Sequence, residues 1–568
     1  MVLLGGLLAL VTWLALTIIL ISIGLIFVRP AGTWKLQHFA AATWWGLAIV
    51  TLVGYLLAFF VPLRSMTTTA SLITISVILG FFGWRSVFQA HRRGRPPWPR
   101  WNAGSILLAF ALVITWTYLA LAALGPVTHY DAGLYQWAAV QYAGDFPVIP
   151  GLANLYGPLG YAGAEPILGA VLGNTAWTTE GFRLLNGAFL VFLGWEAICR
   201  FISHPRRAGT AIALTGTALV YAPMIWMADF WVTSPTPDLP VLVLAVVAAA
   251  HLADLATGNN AHLSSAATIV ILAALMTALR PTAVVLAVGV ILAAIAITVI
   301  KGKRQLGTVI SFPVLAAVGI AVALGALVVA RDRMLSGWLQ YPASLHPFDV
   351  PWRAPDPEPL RSATLGFARD PQDWQEAAAG WNWVGGWISR LPEQWEPWWL
   401  LAALLAGITL LIAARSRSLR WRALVLVSAP FAVATLTWWA LSPPALRFGW
   451  GPLFGLAAVL VGWGIWRLRI QRQVVLALAG GIALLSVVGA IIRLDWTSPR
   501  EVTPWLGIPL EVVPLPVPET EDFTTDSGLV LQVPTQNDQC WSVYPLCTPV
   551  PDPGLTQFSK DIGSGFVS

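Results

Sequence analysis

The chain has 568 residues, of which 57% are hydrophobic and only 11% are charged, and its mean hydropathy is +0.71. Soluble domains carry about 25% charged residues. These values therefore exclude a water-soluble fold of this size, together with collagen-like, disordered and disulfide-scaffold proteins. The composition predicts an all-α polytopic membrane protein.

Fourteen stretches are long and apolar enough to predict membrane-spanning helices, which need about 20 apolar residues each. Because several are short or closely spaced, the prediction is 12–14 spans. The apolar run 166–173 is too short to span and predicts a helix at the interface or dipping into the membrane. In chain order, the fourteen stretches cover residues 3–28, 38–62, 68–89, 103–124, 181–202, 209–226, 239–256, 264–279, 282–300, 307–330, 397–414, 423–441, 450–466 and 474–492.

The basic residues predict the orientation of these spans. More than half of the Lys and Arg residues lie in six alternate connections that contain almost no acids. Since basic connections remain in the cytoplasm, this pattern places both termini and the long polar segments outside. The net charge of +6 is then a topology signal, and no nucleic-acid partner is expected. The six connections are residues 29–35, 92–100, 200–207, 301–304, 415–422 and 467–472.

The predicted spans divide the chain into six segments. Both large outer loops are rich in aromatic residues and are expected to fold, whereas the Pro- and acid-rich tail is expected to be partly extended against them. Arg greatly outnumbers Lys, which is typical of a high-GC bacterium and indicates a bacterial cytoplasmic membrane. The segments are the N-terminal spans (1–124), the first outer loop (125–180), the central spans (181–330), the second outer loop (331–396), the C-terminal spans (397–492) and the outer tail (493–568).

Three cysteines divide into two kinds. Cys199 falls within a predicted span, where it would serve packing. Cys540 and Cys547 fall in the tail, which the topology places outside the cytoplasm. An oxidising compartment permits a disulfide there, and the sequence predicts one between these two residues.

The leading candidate for chemistry is Asp131, in the stretch THYDAGLY (128–135) that follows a predicted span on the outer side. A carboxylate at the water–membrane boundary could accept the proton of an acceptor hydroxyl while a sugar is displaced from a phosphate. His129 could assist or could order the loop. The alternative is that Asp131 only caps a helix beginning at Ala132.

Two other acids are candidates for the same site. Glu165 opens the short apolar run and could supply a second carboxylate. Asp238 ends the stretch TSPTPD (233–238) and could do the same. The alternative for Asp238 is an N-cap, with Pro240 in the first helical turn.

Two arginines stand apart from the basic connections, since Arg280 and Arg447 lie at the predicted outer boundary. A charge at membrane depth is costly and marks a candidate functional site. The planar guanidinium binds phosphate through paired hydrogen bonds, which suits a polyprenyl phosphate or diphosphate. Snorkelling to the interface is the alternative.

The sequence contains no nucleotide-binding or metal-binding motif of the common kinds. With few scattered histidines, a histidine-built metal site is not expected. No cofactor is predicted, and a divalent metal is not required, because arginines can offset the charge of a phosphate leaving group.

This layout resembles the GT-C superfamily of membrane glycosyltransferases, whose first long outer loop carries an essential acid just after a membrane helix. His129, Tyr130 and Asp131 occupy that place here. Many members carry a pair of adjacent acids, whereas Ala132 follows Asp131, so the resemblance implies either a single acid or a second one from Glu165 or Asp238. It also implies a polyprenyl-linked sugar donor and an active site facing the exterior.

A closer resemblance is to a bacterial family of multi-pass membrane proteins whose members look like glycosyltransferase relatives. It extends from about residue 125 to the end of the chain. The stretches that carry it include HYD (129–131), PGLANL (150–155), SPTPD (234–238), RFG (447–449) and DQCW (538–541).

The function expected from the residues and the resemblance is inverting transfer of a sugar from a polyprenyl-phosphate donor to a glycan or lipid acceptor on the outer face. Asp131 would be the general base, and Arg280 and Arg447 would bind the donor phosphate. Substrate binding would also involve His129, Tyr130, Asn154, Glu165 and Asp238. The alternatives are a transporter or flippase of lipid-linked glycans, which should carry ionisable residues near the midplane, and a non-catalytic envelope assembly protein. Glu196 is the only clear acid near the middle of a predicted span.

Overall fold

The computed structural model describes residues 2–28, 34–92, 101–258, 263–301, 311–416, 420–442, 444–505 and 508–568. Several basic residues of the predicted topology signal lie outside the described residues, namely Arg29, Arg93, Arg95, Arg100, Lys303, Arg304 and Arg417.

The described chain is built mainly of α-helices. They are α1 (Val2–Gly24), α2 (Leu36–Ala58), α3 (Met66–Arg92), α4 (Ala103–Ala122), α5 (Trp137–Asp145), α6 (Leu152–Leu155), α7 (Glu165–Leu172), α8 (Leu185–Ser203), α9 (Ala208–Trp226), α10 (Ala228–Trp231), α11 (Asp238–Thr257), α12 (Leu263–Leu279), α13 (Val284–Lys301), α14 (Phe312–Ser336), α15 (Glu358–Arg369), α16 (Trp374–Ala377), α17 (Trp383–Arg390), α18 (Trp395–Ala413), α19 (Trp421–Leu441), α20 (Trp450–Leu468) and α21 (Gln471–Ile492).

Among the described residues, thirteen helices are long and apolar enough to cross a membrane. The helix α12 corresponds to the remaining predicted span and is shorter. The predicted all-α polytopic membrane fold is confirmed.

The strands are short and form antiparallel hairpins in the second loop and the tail. The pair β1 (Trp338–Gln340) and β2 (Leu345–Pro347) lies in the second loop. The tail contains β3 (Glu501–Trp505) with β4 (Ile508–Val512), β5 (Thr520–Thr524) with β6 (Val530–Pro534), and β7 (Thr556–Gln557) with β8 (Phe566–Val567). The tail is therefore a folded segment.

The centre of the bundle is formed by α2, α8, α9, α11 and α20, whose apolar side chains are mostly buried. Helices α3, α14 and α18 instead bury less than a quarter of the residues in their apolar segments. Such surfaces suit a lipid solvent, which is as apolar as the side chains themselves. The exposed faces therefore belong at the edge of the bundle, against lipid.

Glycine allows α1 and α2 to pack with their backbones in contact. A Cβ atom on Gly24 would lie 1.9 Å from the carbonyl oxygen of Ala42, and one on Gly46 would lie 2.0 Å from that of Leu20. Small residues at such crossings are the usual means of close helix packing in membranes. These two glycines therefore allow α1 and α2 to cross closely.

The connections gather in two groups, at opposite ends of the bundle. At the loop end, the first loop, the second loop and the tail contact one another; for example, the backbone N–H of Val513 donates to the Leu124 carbonyl at 2.9 Å. At the basic end, Arg420 donates to the Thr257 carbonyl at 3.2 Å and Trp466 donates to the Arg206 carbonyl at 3.1 Å. This grouping agrees with the alternation that the basic residues predict.

The short apolar run forms α7, which is buried within the protein. Its residue Ile167 fills the space beside Gly54 of α2, where a Cβ would lie 2.7 Å from the isoleucine methyl. The backbone N–H of Ala164 donates to the carbonyl of Ala278, at the end of α12, at 2.9 Å. The helix thus enters the bundle from the loop end, and it brings Glu165 close to Arg280.

Candidate functional site

Asp131 lies where the chain leaves α4 and enters the first loop. It precedes a π-helical turn over Ala132–Gln136, and its carboxylate makes no capping hydrogen bond to that turn. Turns of this type are rare and occur often at functional sites. The Asp131 side chain therefore does not act as a helix cap.

The Asp131 carboxylate is held instead by Arg447, whose guanidinium approaches it to 2.9 Å. Arg447 lies in the 3₁₀ turn Leu446–Gly449 that precedes α20. Both side chains remain partly accessible, at 27% for Arg447 and 17% for Asp131. A ligand can therefore reach this ion pair.

His129 supports the pair from behind. Its side chain is fully buried and packs against the rings of Phe230 and Trp231, at centroid distances of 4.6 and 5.0 Å. Its Nδ1 atom accepts the backbone N–H of Asp131 at 3.2 Å, and its Nε2 atom lies 3.2 Å from Arg447. Burial lowers the pKa of His129 to about 4, with Asp131 and Arg447 acting in opposite directions. A neutral, buried imidazole orders the loop and has no open surface for a substrate.

A second ion pair joins Asp238 to Arg280. Asp238 is the first residue of α11 and makes no capping hydrogen bond, so the predicted N-cap role is wrong, whereas Pro240 does lie in the first turn. One carboxylate oxygen of Asp238 accepts the Thr236 hydroxyl at 2.9 Å. Asp238 is buried, whereas the Arg280 side chain stays 18% accessible. The aspartate thus orients an arginine that a ligand can reach.

The ring of Phe448 brings the two arginines together. The guanidinium carbon of Arg280 lies 4.1 Å from the ring centroid and that of Arg447 lies 5.0 Å from it. Cations over an aromatic face are attracted by its quadrupole. Burial, followed by the charge of Arg447, lowers the pKa of Arg280 to about 10. The two neighbouring guanidinium groups repel each other. An anion bound beside both of them would offset this repulsion and would itself be stabilised.

Three tyrosines, Tyr135, Tyr161 and Tyr341, form a row beside Asp131. The sequence did not single them out as part of a site. The rings of Tyr135 and Tyr161 meet edge to face at 5.5 Å, and Tyr161 lies 6.1 Å from Tyr341 of the second loop. Asp131 acts electrostatically on Tyr135 and on Tyr161, and burial raises the pKa of both phenols. Tyr135 and Tyr161 keep partly accessible side chains although they lie deep in the protein. Asp131 therefore lies beside a partly accessible aromatic surface.

Glu165 lies at the inner side of this row. Its side chain is buried, and its Oε2 atom has no hydrogen-bond partner among the described residues. Burial raises the pKa of Glu165 to about 7, and the charges of Arg331 and Arg280 oppose that rise. A Cβ on Gly163 would lie 2.2 Å from the carboxylate, so glycine is needed to leave room for it. A buried carboxyl oxygen without a partner is unusual in a folded protein, which marks Glu165 as a candidate functional residue.

Asn154 has a structural task at the loop end. Its amide nitrogen donates to the carbonyls of Trp352 and Phe566 at 3.0 and 3.1 Å, and its oxygen accepts the Ser568 hydroxyl at 3.0 Å. These bonds join the first loop, the second loop and the chain end. The predicted substrate-binding side chain is thus already occupied by protein partners.

The comparison with known families is now informative. The family model described as "Domain of unknown function (DUF8201)" matches residues 7–454. The chain belongs to this family. The part matched to DUF8201 contains the two ion pairs, Glu165 and the tyrosine row, whereas the tail from residue 493 lies beyond it. No curated protein and no solved structure matches the chain.

A separate charged cluster lies buried towards the basic end of the bundle. Glu196 of α8 pairs with Arg200, which also pairs with Asp254 of α11 at 2.6 Å. The Trp44 indole donates to Glu196 at 3.0 Å, and His251 lies 3.4 Å from it. Glu196 therefore connects α2, α8 and α11, and its two carboxylate oxygens are both engaged.

Proposed function

We propose that this chain is a membrane glycosyltransferase that transfers a sugar from a polyprenyl-phosphate or diphosphate donor to a glycan or lipid acceptor. The observation that carries the proposal is the meeting of Asp131 with two accessible arginines around Phe448. A carboxylate beside paired guanidinium groups supplies both a proton acceptor and a phosphate binder. Inverting sugar transfer from a phosphate needs these two functions.

Asp131 acts as the general base. The oxygen of the acceptor hydroxyl attacks the anomeric carbon, and its proton passes to the Asp131 carboxylate. The bond between the anomeric carbon and the phosphate oxygen breaks, and the electron pair leaves with the polyprenyl phosphate. Attack from the face opposite the phosphate inverts the anomeric configuration.

Arg447 and Arg280 bind the donor phosphate and stabilise the charge that develops on it. Without a donor, Arg447 is paired with Asp131. The donor phosphodiester carries one negative charge and a diphosphate donor carries two, and either competes with Asp131 for this guanidinium, which loosens its hold on Asp131. Donor binding therefore prepares the base, and the Arg280 guanidinium remains oriented by Asp238.

The sugar ring is placed beside the tyrosine row. Aromatic faces at Tyr135 and Tyr161 match the apolar faces of a sugar, and the buried Glu165 carboxyl acts electrostatically on Tyr135 from behind them. The neutral His129 keeps the Asp131 loop in place and does not enter the reaction.

The cellular setting proposed is a bacterial cytoplasmic membrane with the loop end outside the cytoplasm. The basic connections at the other end support this orientation through the positive-inside rule. The disulfide between Cys540 and Cys547 at the loop end suits an oxidising compartment.

A transporter or flippase of lipid-linked glycans has less support. Its discriminating feature would be available ionisable groups deep in the bundle. Glu196, the acid that the sequence offered for this purpose, is engaged by Arg200 and Trp44. The accessible charges of the site instead lie at the loop end.

The test is sugar transfer by the purified full chain in liposomes. A panel of polyprenyl-phosphate hexoses and pentoses serves as donors, and product is measured for wild type and Asp131→Asn. Glu521→Gln, an exposed tail acid remote from the ion pairs, is the control. Transfer by wild type and by the control, with loss in Asp131→Asn, supports the proposal, whereas wild-type flipping without transfer overturns it.

A further inference from the structure

The C-terminal tail contacts residues on both sides of Asp131, namely Tyr130 and Gly133. The Tyr130 hydroxyl donates to the Asp538 carboxylate. The side-chain amide of Gln539 donates to the Tyr130 carbonyl at 2.8 Å, and the backbone N–H of Trp541 donates to the Gly133 carbonyl at 2.9 Å. Within four residues the tail thus binds the chain on both sides of the candidate base.

The Trp541 indole packs against Gly133 of the turn, in space that any side chain at that position would occupy. A Cβ atom on Gly133 would lie 2.3 Å from the indole ring, closer than any real contact. The indole is 9% exposed, so it is almost fully buried in this contact. Gly133 therefore leaves room for the Trp541 indole within the π-helical turn. Turns of this type are rare.

The tail segment that makes these contacts is itself fixed by a disulfide. Cys540, between Gln539 and Trp541, is bonded to Cys547. The far side of the disulfide loop is anchored too, because the backbone N–H of Leu546 donates to the Tyr142 hydroxyl at 3.2 Å and the Tyr544 ring lies 4.8 Å from that of Tyr142. The loop closed by the disulfide thus spans from the Asp131 turn to α5.

We propose that residues 538–547 form a disulfide-closed clamp whose function is to position Asp131, with Asp538 and Trp541 as positioning residues. The clamp rests on the proposed function for its catalytic consequence, although its physical hold on residues 130–136 is independent of it. Because the clamp closes only when the disulfide forms, the site is complete only after the tail reaches an oxidising compartment. Reduction opens the clamp, loosens the π-helical turn and separates Asp131 from its working geometry.

The physical hold is tested by hydrogen exchange of the full chain in detergent. In Cys540→Ser, Trp541→Ala and Gly133→Ala, amides 130–136 are expected to exchange about 10-fold or more faster than in wild type, because local opening no longer breaks clamp contacts. Trp541→Phe should restore part of the protection, and Glu521→Gln should exchange as wild type does. Unchanged exchange in all three clamp variants overturns the proposal.

The catalytic consequence is tested by transfer kinetics on the same proteins. A positioning role predicts that Asp538→Asn and Trp541→Ala lower kcat about 10-fold or more while the donor KM stays near the wild-type value, since donor binding depends on the arginines. A clamp variant that raises the donor KM and keeps kcat overturns the positioning role. If the wild-type chain transfers no sugar, the proposed function fails, and the exchange result still decides whether the clamp exists.

Discussion

The Arg447 guanidinium lies 2.9 Å from the Asp131 carboxylate and also stacks on Phe448, the ring that Arg280 approaches from its own ion pair with Asp238. The two candidate acids are thus connected through two arginines and one aromatic ring. Either arginine alone would be explained by its aspartate partner. Together they place two guanidinium groups beside one ring at the loop end of the bundle, where a ligand can reach both.

Replacement of the candidate base should stop turnover and spare the fold. Asp131→Asn keeps the size of the side chain and one oxygen facing Arg447, but it removes the proton acceptor. We expect sugar transfer to fall about 100-fold or more, within the range of general base catalysis. Size-exclusion behaviour in detergent should remain that of a folded protein. Unchanged turnover would remove Asp131 from the mechanism.

The arginines and Phe448 should affect donor binding. Arg280→Ala removes a charge-assisted partner of the phosphate, which costs about 1.5–3 kcal/mol of binding. Phe448→Leu removes the shared ring and should weaken donor binding by about 0.5–2 kcal/mol through the lost cation–π contacts. The measurement is donor binding by tryptophan fluorescence, with polyprenyl phosphate that carries no sugar as the probe. Arg361→Ala, which removes an exposed ion pair of α15, is the control and should bind normally.

The ion pair itself should show energetic coupling. In a double-mutant cycle, Asp131→Asn and Arg447→Gln should affect stability non-additively by about 0.5–3 kcal/mol, because the groups are in direct contact. The same cycle between Asp131 and Arg361 should be additive. Additivity at the first pair would show that the contact is not formed in the membrane protein.

The helices of this fold could be predicted from the sequence because each spanning segment carries its own apolar signal. The 14 predicted segments correspond to the thirteen long helices and α12 of the described chain. The basic residues likewise carry a local signal for orientation. Even α7 was visible as a run too short to span.

The partners within the site could not be predicted in the same way. The contacts of Arg447 with Asp131, and of Trp541 with Gly133, join segments that are distant in the chain, and neither leaves a local pattern. Residue chemistry was enough to single out the aspartates and arginines, since charges near membrane boundaries are rare. Residue chemistry did not distinguish a capping role for Asp238 from an ion pair. An aspartate at the start of a helix is compatible with both, and the structure shows the ion pair. The occupied amide of Asn154 and the tyrosine row became visible only from the packing of the loops.

The burial of His129 should make the protein sensitive to acid. Its pKa is lowered to about 4 in the folded chain from an ordinary value near 6.5, so the folded state binds fewer protons than the unfolded state between these values. Stability is therefore complete above about pH 6.5 and declines as the pH falls to about 4. Thermal unfolding in detergent should show this decline, and His129→Asn should flatten it. An identical pH profile in the variant would assign the acid sensitivity to other groups.

The tail provides a test of orientation. Cys540 and Cys547 are bonded to each other, and Cys199 is buried, so intact cells should react with a membrane-impermeant thiol reagent only after mild reduction. The variant Cys547→Ser leaves Cys540 unpaired and Cys199 buried, and because the clamp is then open, Cys540 should react from outside without reduction. If that variant reacts only after the cells are permeabilised, the loop end faces the cytoplasm and the proposed orientation is wrong.

The buried cluster around Glu196 distinguishes sugar transfer from transport. Glu196→Gln leaves Arg200 with Asp254 as its remaining acid partner and weakens a network that joins three helices. Because breaking a buried pair costs about 3–5 kcal/mol, thermal stability in detergent should fall clearly. Sugar transfer per folded molecule should stay near wild type, since the cluster lies towards the basic end, away from Asp131. A transporter that uses Glu196 along its path would behave differently: flipping of a lipid-linked glycan in liposomes would be lost in Glu196→Gln, even in the fraction that remains folded.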